Sequence, residues 1–357
     1  MGQNDSSDLF LRACRRQPVE RTPVWFMRQA GRYMKEYREL RARYSLLELC
    51  QTPELAAQIT LQPIEKLGVD AAIIFADLLL PAQAMGLQLE FATGEGPVLS
   101  NPVRTAEAVR QLREVSDGEL SYVAEAIRIV CRELNGKVPL IGFCGAPFTV
   151  ASYMVEGGAS RNFVRTKTMM YQHPELWREL MQKLVKVLSE FLKGQVVAGA
   201  KAVQIFDSWV GCLCPEDYRT YVLPYSRELI ANVASTGVPV IHFGTGTATL
   251  LELMRQAGGS VIGVDWRIEL ADSWQRVGHD VAVQGNLDPV VLLGPQQKIR
   301  ECVERILRSV NGQPGHIFNL GHGILPETPV ENVQLVVEIV QQFSANTPKM
   351  KRLNSRI

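Results

Sequence analysis

Two arginines four positions apart are the first residues of this chain whose types and spacing could do chemistry. Arg28 and Arg32 lie in the segment P-V-W-F-M-R-Q-A-G-R, residues 23–32, directly after a short apolar run. The run predicts a buried strand, so both guanidinium groups should lie where that strand ends. Arginine stays charged at any working pH, and its rigid fork of donors matches a carboxylate or a phosphate. The pair therefore predicts an anion site, with two salt-bridged surface arginines as the alternative.

The elements that must position such residues alternate along the chain. Short apolar runs are separated by amphipathic segments, several of which begin with Pro or Asp, as helices often do. The predicted strands are Val24–Met27, Ala71–Ala76, Leu140–Phe143, Ala202–Phe206, Val238–Phe243, Val261–Asp265, Val281–Gln284 and His316–Leu320. The predicted helices are Pro53–Leu67, Asp117–Leu134, Glu175–Val197, Pro215–Ala234, Gln296–Val310 and Thr328–Phe343.

This alternation predicts an α/β fold. Near-continuous apolar strands that take turns with helices indicate a parallel sheet covered by helices. Eight such runs favour a single-domain (β/α)8 TIM barrel over residues 1–357, with N-terminal and loop insertions. Residues 1–8 and 348–357 are expected to be flexible termini. A doubly wound sheet is the alternative, but the one near-match to its glycine motif, at residues 244–246, lacks the third glycine.

In a barrel of this kind, functional groups gather at the carboxyl ends of the strands. The residues that follow the apolar runs are unusually polar and include acids, a phenol, a hydroxyl and imidazoles. They are Asp77, Tyr153, Asp207, Ser208, His242, Asp265 and His322. We expect these groups to face the two arginines across one barrel opening.

Composition excludes several classes of partner. With 38 basic and 37 acidic residues the net charge is only +1, so no long-range field for nucleic acid is expected. The most apolar stretch, residues 69–87, contains two aspartates and a proline, which argues against a membrane span. Seven scattered cysteines fit reduced thiols in the cytoplasm. Because Cys212 and Cys214 have no further ligands at metal spacing, no metal site is predicted.

Two long motifs stand out: P-V-W-F-M-R-Q-A-G-R at Pro23–Arg32 and G-F-C-G-A-P-F-T-V-A-S-Y-M-V-E-G-G at Gly142–Gly158. Both resemble the uroporphyrinogen decarboxylase family. Three shorter segments continue the resemblance in the same order: I-I-F-A-D at Ile73–Asp77, Q-I-F-D-S at Gln204–Ser208 and F-N-L-G-H-G at Phe318–Gly323. The resemblance thus covers nearly the whole chain.

The resemblance implies a cofactor-free carboxy-lyase of haem and chlorophyll biosynthesis. Members of this family remove CO₂ from the four acetate side chains of uroporphyrinogen III, which leaves methyl groups and gives coproporphyrinogen III. The resemblance also implies a (β/α)8 barrel that forms a homodimer, in the cytoplasm or in the plastid stroma of a photosynthetic eukaryote. A substrate with eight carboxylates would explain why a nearly neutral protein needs arginines at its opening.

The family's binding groups fall on Arg28, Gln29, Arg32, Asp77, Tyr153, Ser208 and His322 of this sequence. Asp77 is expected at the centre, where one carboxylate accepts hydrogen bonds from several pyrrole N–H groups and stabilises the protonated ring. Phe143 and Phe206 end predicted strands and are expected to contact the macrocycle. Asp77, Arg28, Tyr153 and His322 are the expected catalytic residues, and which of the last three delivers the proton stays open.

Ordinary structural roles are the alternatives for the same residues. Asp77 could cap a helix after its strand. Tyr153, Ser208 and His322 could be hydrogen-bonded residues of the barrel rim.

Two other functions compete with decarboxylation. One is a zinc-dependent corrinoid or thiol methyltransferase of the same superfamily, in which a His-x-Cys pair holds the metal. His242 departs from that pattern, because Phe243 and Gly244 follow it where a cysteine would be required. The other is a tetrapyrrole-binding protein that has lost catalysis and kept the fold.

Overall fold

The strands belong to two sheets. The computed structural model describes residues 8–92, 96–115 and 118–346. The strands within these residues are β1 (Ala72–Ile73), β2 (Leu89–Ala92), β3 (Gly96–Leu99), β4 (Leu140–Gly145), β5 (Ala202–Asp207), β6 (Val240–Gly244), β7 (Val261–Gly263), β8 (Ala282–Leu287) and β9 (His316–Leu320). β2 and β3 form an antiparallel hairpin. The other seven form one parallel sheet in the order β1-β4-β5-β6-β7-β8-β9.

Helices alternate with these strands. They are α1 (Leu9–Cys14), α2 (Lys35–Arg41), α3 (Leu46–Gln51), α4 (Pro53–Leu67), α5 (Leu80–Ala84), α6 (Ala106–Gln111), α7 (Ser121–Leu134), α8 (Pro147–Glu156), α9 (Val164–Gln172), α10 (Pro174–Ala198), α11 (Pro215–Tyr221), α12 (Leu223–Ala234), α13 (Leu251–Ala257), α14 (Leu270–Val277), α15 (Gln296–Ser309) and α16 (Val330–Asn346). Short 3₁₀ helices span Val210–Cys212 and Pro289–Leu293. Among the described residues, no helix is both long and apolar enough to cross a membrane.

A single residue, Val24, closes the sheet into a barrel. It forms a parallel bridge to Phe318 on β9, where the Phe318 N–H donates to the Pro23 carbonyl over 2.8 Å. On the other side, the Asp70 N–H donates to the Val24 carbonyl over 2.8 Å, just before β1. Residues 23–25 are called the closing segment below. The prediction of a (β/α)8 barrel is confirmed, but the first predicted strand, Val24–Met27, contracts to one bridging residue.

A buried ion pair anchors the closing segment. The Arg21 guanidinium donates two hydrogen bonds to Asp70, 2.7 Å to Oδ2 and 2.5 Å to Oδ1. Asp70 Oδ2 also accepts the Val24 N–H over 2.8 Å. Because Asp70 is only 7% exposed, this bidentate pair fixes the start of the barrel to the first strand.

Polar side chains cross the barrel interior beneath the site. Trp25 Nε1 donates to Gln284 Oε1 over 3.0 Å, and Gln284 Nε2 donates to Gln204 Oε1 over 3.0 Å. Asn319 Oδ1 accepts the Met27 N–H over 3.1 Å. These buried bonds connect Trp25 to β8 and, through Gln284, to β5, and they connect Met27 to β9, so the position of this part of the chain is well determined.

Most predicted helices are present, with two differences. Pro215–Ala234 is divided into α11 and α12, because Pro224 has no N–H to continue the first helix and Val222 adopts a non-helical conformation. The segment predicted from Asp117 begins as a helix only at Ser121, and Asp117 itself lies outside the described residues. The termini predicted to be flexible, residues 1–8 and 348–357, also lie outside the described residues, except for residue 8.

Candidate active site

Arg28 occupies a turn directly after the closing segment. Its φ of 58° lies in the left-handed region, which residues other than glycine rarely adopt. The Ile324 N–H donates to the Met27 carbonyl over 3.0 Å, which joins this turn to the loop after β9 that carries His322. The aliphatic part of Arg28 lies against Gly323 in that loop. Arg28 and His322 are therefore brought to the same side of the barrel opening.

Gln29 points into the protein. Its side chain is fully buried, with Oε1 accepting the Phe26 N–H over 3.1 Å and Nε2 donating to the Ala71 carbonyl over 3.0 Å. The Tyr33 hydroxyl donates to the Gln29 carbonyl over 2.6 Å. In this structure the Gln29 amide holds the turn in place and does not face the cleft.

Asp77 lies in the loop after β1. Its Oδ1 accepts the Leu79 N–H over 2.9 Å, two residues ahead of it, so it supports the turn before α5 and is not that helix's N-cap residue. Among the described residues, none donates a hydrogen bond to Oδ2. Burial raises the pKa of Asp77, whereas the Leu79 N–H and the charge of Arg28 lower it. One carboxylate oxygen thus remains available to a ligand.

The charges of four predicted site residues act on one another. Burial raises the pKa of Tyr153 to about 12, with Asp77 raising it further and Arg28 lowering it. Burial lowers the pKa of His322 to about 4, and Arg28 lowers it further. At neutral pH the phenol keeps its proton and the imidazole is uncharged. Arg28, Asp77, Tyr153 and His322 therefore share one cleft.

The two arginines keep solvent contact inside this cleft. Arg28 and Arg32 are both exposed, yet the surrounding protein atoms and the like charge of Arg32 lower the pKa of Arg28. No carboxylate among the described residues lies within ion-pair distance of either guanidinium, although Asp77 is near enough to raise the pKa of Arg28. The alternative of two salt-bridged surface arginines therefore does not describe this pair.

Tyr153 belongs to an aromatic stack. Its ring lies on the indole of Trp209, with centroids 3.8 Å apart and planes tilted by 33°. The Phe163 ring contacts the same indole edge-on, with centroids 5.0 Å apart. The sequence interpretation missed Trp209, although it directly follows Ser208 in one of the recognised motifs.

Three phenylalanines line the barrel opening near this stack. Phe206 packs edge-on against Phe143 at 5.5 Å and against Phe243 at 5.9 Å. Phe143 and Phe243 are buried, whereas Phe206 is only partly covered. Phe206 therefore presents the apolar surface that remains accessible. Ser208 is half-buried nearby, and its carbonyl accepts a hydrogen bond from the Thr245 hydroxyl.

Comparison with known proteins identifies the family. A family model described as "Uroporphyrinogen decarboxylase (URO-D)" matches residues 5–343. The chain belongs to the uroporphyrinogen decarboxylase family. Its resemblance to that family in the five motifs is thereby confirmed.

Curated relatives agree with this membership. A protein named "Uroporphyrinogen decarboxylase" from Solibacter usitatus is 59% identical over 334 residues, which cover 94% of this chain and 97% of the relative. A protein of the same name from Carboxydothermus hydrogenoformans is 57% identical over 340 residues, covering 95% and 97%.

Among solved structures, this chain is similar in fold to a "methyltransferase from Methanosarcina mazei". That structure has a TM-score of 0.78 and 21% identity, and the match covers 96% of this chain and 99% of the other. At this identity the likeness concerns the fold alone.

His242 and Asp265, both expected at the opening, are placed differently from each other. His242 is fully buried and lies beside the backbone of Met254 on α13, on the helix side of the sheet. Asp265 is 1% exposed and already occupied, since it accepts the Gly246 N–H over 2.6 Å and pairs with Arg267. The expectation that His242 faces the arginines is wrong, because neighbouring positions on a strand point to opposite faces and Phe243 is the one that packs against Phe206. Asp265 is close enough to His322 to raise the pKa of that imidazole.

Asp207, like His242, points away from the opening. It is the last residue of β5 and is fully buried, with its Oδ1 accepting a hydrogen bond from the Thr149 hydroxyl over 2.8 Å and its Oδ2 without a partner among the described residues. Burial raises the pKa of Asp207 to about 7. Thr149 Oγ1 in turn accepts the Trp209 N–H over 3.3 Å. Asp207 therefore supports the aromatic stack from below and does not line the cleft.

The paired cysteines have structural surroundings. Cys214 precedes α11, and its Sγ accepts the Asp217 N–H over 3.5 Å as a helix cap. The Cys212 carbonyl accepts a hydrogen bond from Lys167 over 2.7 Å. Within the described ranges, no group of three or more His, Cys, Asp or Glu residues is arranged to hold a metal ion.

Proposed function

We propose that this chain decarboxylates uroporphyrinogen III. Each of four acetate side chains loses CO₂ and gains a proton, which yields coproporphyrinogen III and four CO₂ for haem or chlorophyll synthesis. The observation that carries the proposal is the joint presence of Arg28 and Asp77 in one cleft of a chain that belongs to this family. A partly buried anion beside a cation suits a substrate that combines pyrrole N–H donors with carboxylates.

Asp77 is proposed to bind the macrocycle centre. A reduced tetrapyrrole can turn its N–H groups inward, and the free Oδ2 of Asp77 would accept them. Those donors favour the charged carboxylate and so oppose the burial that raises its pKa. When the pyrrole is protonated, the anion stabilises the resulting cation in a partly water-excluded cleft.

Arg28 and Arg32 are proposed to hold the substrate carboxylates. Each guanidinium can make two parallel hydrogen bonds, which fixes the orientation of the acetate that is to leave. Gln29 is proposed to position Arg28, because its buried amide fixes the turn that carries this arginine. Phe143, Phe206 and Ser208 would border the ring, with Phe206 offering the accessible face.

Proton delivery is assigned to three candidates. One proton must reach the pyrrole ring carbon before CO₂ leaves, and the ring carbon then loses its proton as the new methyl group gains one. The lowered pKa of Arg28 favours it as the first donor. Tyr153 keeps its proton at neutral pH and His322 is an uncharged imidazole, so either can pass a proton through water at the methyl position.

We propose a cytoplasmic homodimer that uses no cofactor and binds neither nucleic acid nor membrane. The seven cysteines are all free, which suits a reducing compartment. The near-zero net charge supports the absence of a nucleic-acid partner.

Anaerobic incubation with uroporphyrinogen III tests the proposal. Samples are oxidised at intervals and separated by carboxylate number, and the eight-carboxylate species should give way to the four-carboxylate product. Binding of the substrate without release of CO₂ would instead favour a tetrapyrrole-binding protein. Stoichiometric zinc in the purified protein, together with methyl transfer to a thiol, would favour the methyltransferase alternative.

A further inference from the structure

A second basic cavity lies outside the cleft, where the end of α8 meets the start of α9. It has a volume of about 720 Å³. Four side chains that can carry positive charge line it: Arg104, Arg161, Arg165 and His173. All four are exposed to solvent. This cavity is called the outer basic groove below.

The charges of the outer basic groove are largely uncommitted. Among the described residues, no carboxylate lies within ion-pair distance of Arg161 or Arg165. Arg104 donates to the carbonyls of Val155 and Glu156, over 3.0 and 2.9 Å, which anchors it at the end of α8.

Glu156 is the one carboxylate among the described lining residues, and it is already engaged. Its Oε1 accepts both the N–H and the hydroxyl of Thr166, each over 2.9 Å, at the start of α9. Three guanidiniums therefore face solvent across a groove with one occupied acid. A volume of this size exceeds what a single small anion needs.

Aromatic contacts connect the segment that lines the groove to the active site. Phe163 lies between Arg161 and Arg165 in the sequence, and its buried ring contacts Trp209 with centroids 5.0 Å apart. Trp209 in turn stacks on Tyr153 at 3.8 Å. One aromatic stack therefore lies between the segment that carries Arg161 and Arg165 and the Tyr153 ring of the cleft.

We propose that the outer basic groove binds peripheral carboxylates of the tetrapyrrole and draws it toward the cleft. This inference rests on the proposed function, because the ligand is a polycarboxylate with eight negative groups. Arg28 and Arg32 can hold only a few of them, and the groove offers matching charge on the other side of the aromatic stack. Such a field raises the association rate and weakens as salt screens it.

A double variant with a matched control tests the role. Arg161→Gln with Arg165→Gln should lower kcat/KM for uroporphyrinogen about tenfold at low ionic strength. The kcat should change less than twofold, and the difference in kcat/KM should vanish in about 0.5 M salt. Lys298→Gln with Arg300→Gln removes the same charge from exposed positions of α15, away from the groove, and should leave kcat/KM unchanged. An equal loss in this control, or a loss confined to kcat, would overturn the proposal.

A nonreactive probe separates this inference from the proposed function. Benzenehexacarboxylate has the charge but no pyrrole N–H for Asp77, and its binding is measured by calorimetry. It should bind the unmodified protein, bind the α15 control equally, and bind the Arg161/Arg165 double variant at least several-fold more weakly. If the unmodified protein released no CO₂, the proposed function would be refuted. The calorimetric measurement would still show whether the outer basic groove binds polycarboxylates. Equal binding to all three proteins, or equally tight binding of inorganic phosphate to the groove, would refute the polycarboxylate site.

Discussion

The aliphatic part of Arg28 occupies the space that a side chain at Gly323 would fill. An ideal Cβ on Gly323 would lie 2.6 Å from Arg28 Cγ and 3.1 Å from Arg28 Cβ. Because Gly323 neighbours His322, this close approach sets the separation between the guanidinium and the imidazole. The absence of a side chain at residue 323 is therefore a requirement of the cleft.

Replacement of Gly323 by alanine should displace Arg28. We expect kcat/KM to fall about a hundredfold, since small misplacements of a substrate-orienting group cost that much. The free energy of unfolding should fall by about 1–3 kcal/mol from overpacking. Steady-state kinetics and denaturant unfolding measure both effects. Gly194→Ala on α10 is the control, because an added Cβ there meets nothing within 4 Å, and it should keep full activity. Unchanged kinetics in Gly323→Ala would show that Arg28 position is not limiting.

Asp77→Asn should separate activity from stability. The amide keeps the shape but removes the anion that balances the protonated ring, so kcat should fall about 10²–10³-fold. Burial raises the pKa of Asp77, which means that its ionised form disfavours the folded state at neutral pH. The melting temperature of the variant should therefore be equal or higher. Asp272→Asn, which removes an exposed charge from α14, is the control. A large loss of stability with normal turnover would contradict the assignment.

Arg28→Lys and Arg32→Lys should each impair turnover by at least about tenfold. Lysine keeps the charge but cannot reproduce two parallel hydrogen bonds to one carboxylate. KM and kcat are measured separately, and a rise in KM alone would assign the residue to binding. Arg128→Lys changes an exposed arginine of α7 that is paired with Glu125, and it should behave as the unmodified protein. Full activity in both cleft variants would show that net charge suffices.

Asp207 should make the stability depend on pH. Its pKa in the folded protein is about 7, above its ordinary value of 3.8, so the folded state binds more protons between those values. The free energy of unfolding should therefore decrease as pH rises from about 4 to about 7 and then level off. Asp207→Asn should remove this slope. Denaturant unfolding at several pH values measures it, and parallel curves for the two proteins would show that Asp207 carries no such linkage.

The barrel was predictable because its signal is repeated along the chain. Each buried strand is a short apolar run, and the helix α4 has the bounds that its sequence pattern predicted, Pro53–Leu67. The closing segment was predicted only in part. Its residues are apolar enough for a strand, but the turn at Arg28 ends the extended backbone early. The hydrogen bonds to Asn319 and Gln284 hold it there, and those two partners lie far away in sequence.

The site residues that lie in a recognised motif were predictable from the sequence. The face of the sheet to which a strand residue points was not. Asp207 follows Phe206, and His242 precedes Phe243, so each points away from a residue that faces the opening. A list of strand ends cannot distinguish these two faces without the register of the sheet. Trp209 carried a signal in the sequence, but its role depends on stacking with a helix more than 50 residues earlier.

The bridge between Val24 and Phe318 also orders the assembly of the protein. The closing segment needs β9 as its neighbour, and β9 is the last of the described strands along the chain. The turn that carries Arg28 is synthesised early, but it can fold only after nearly the whole chain has left the ribosome. A nascent or C-terminally shortened chain would thus contain every residue of the arginine motif and still have no place to bind an anion.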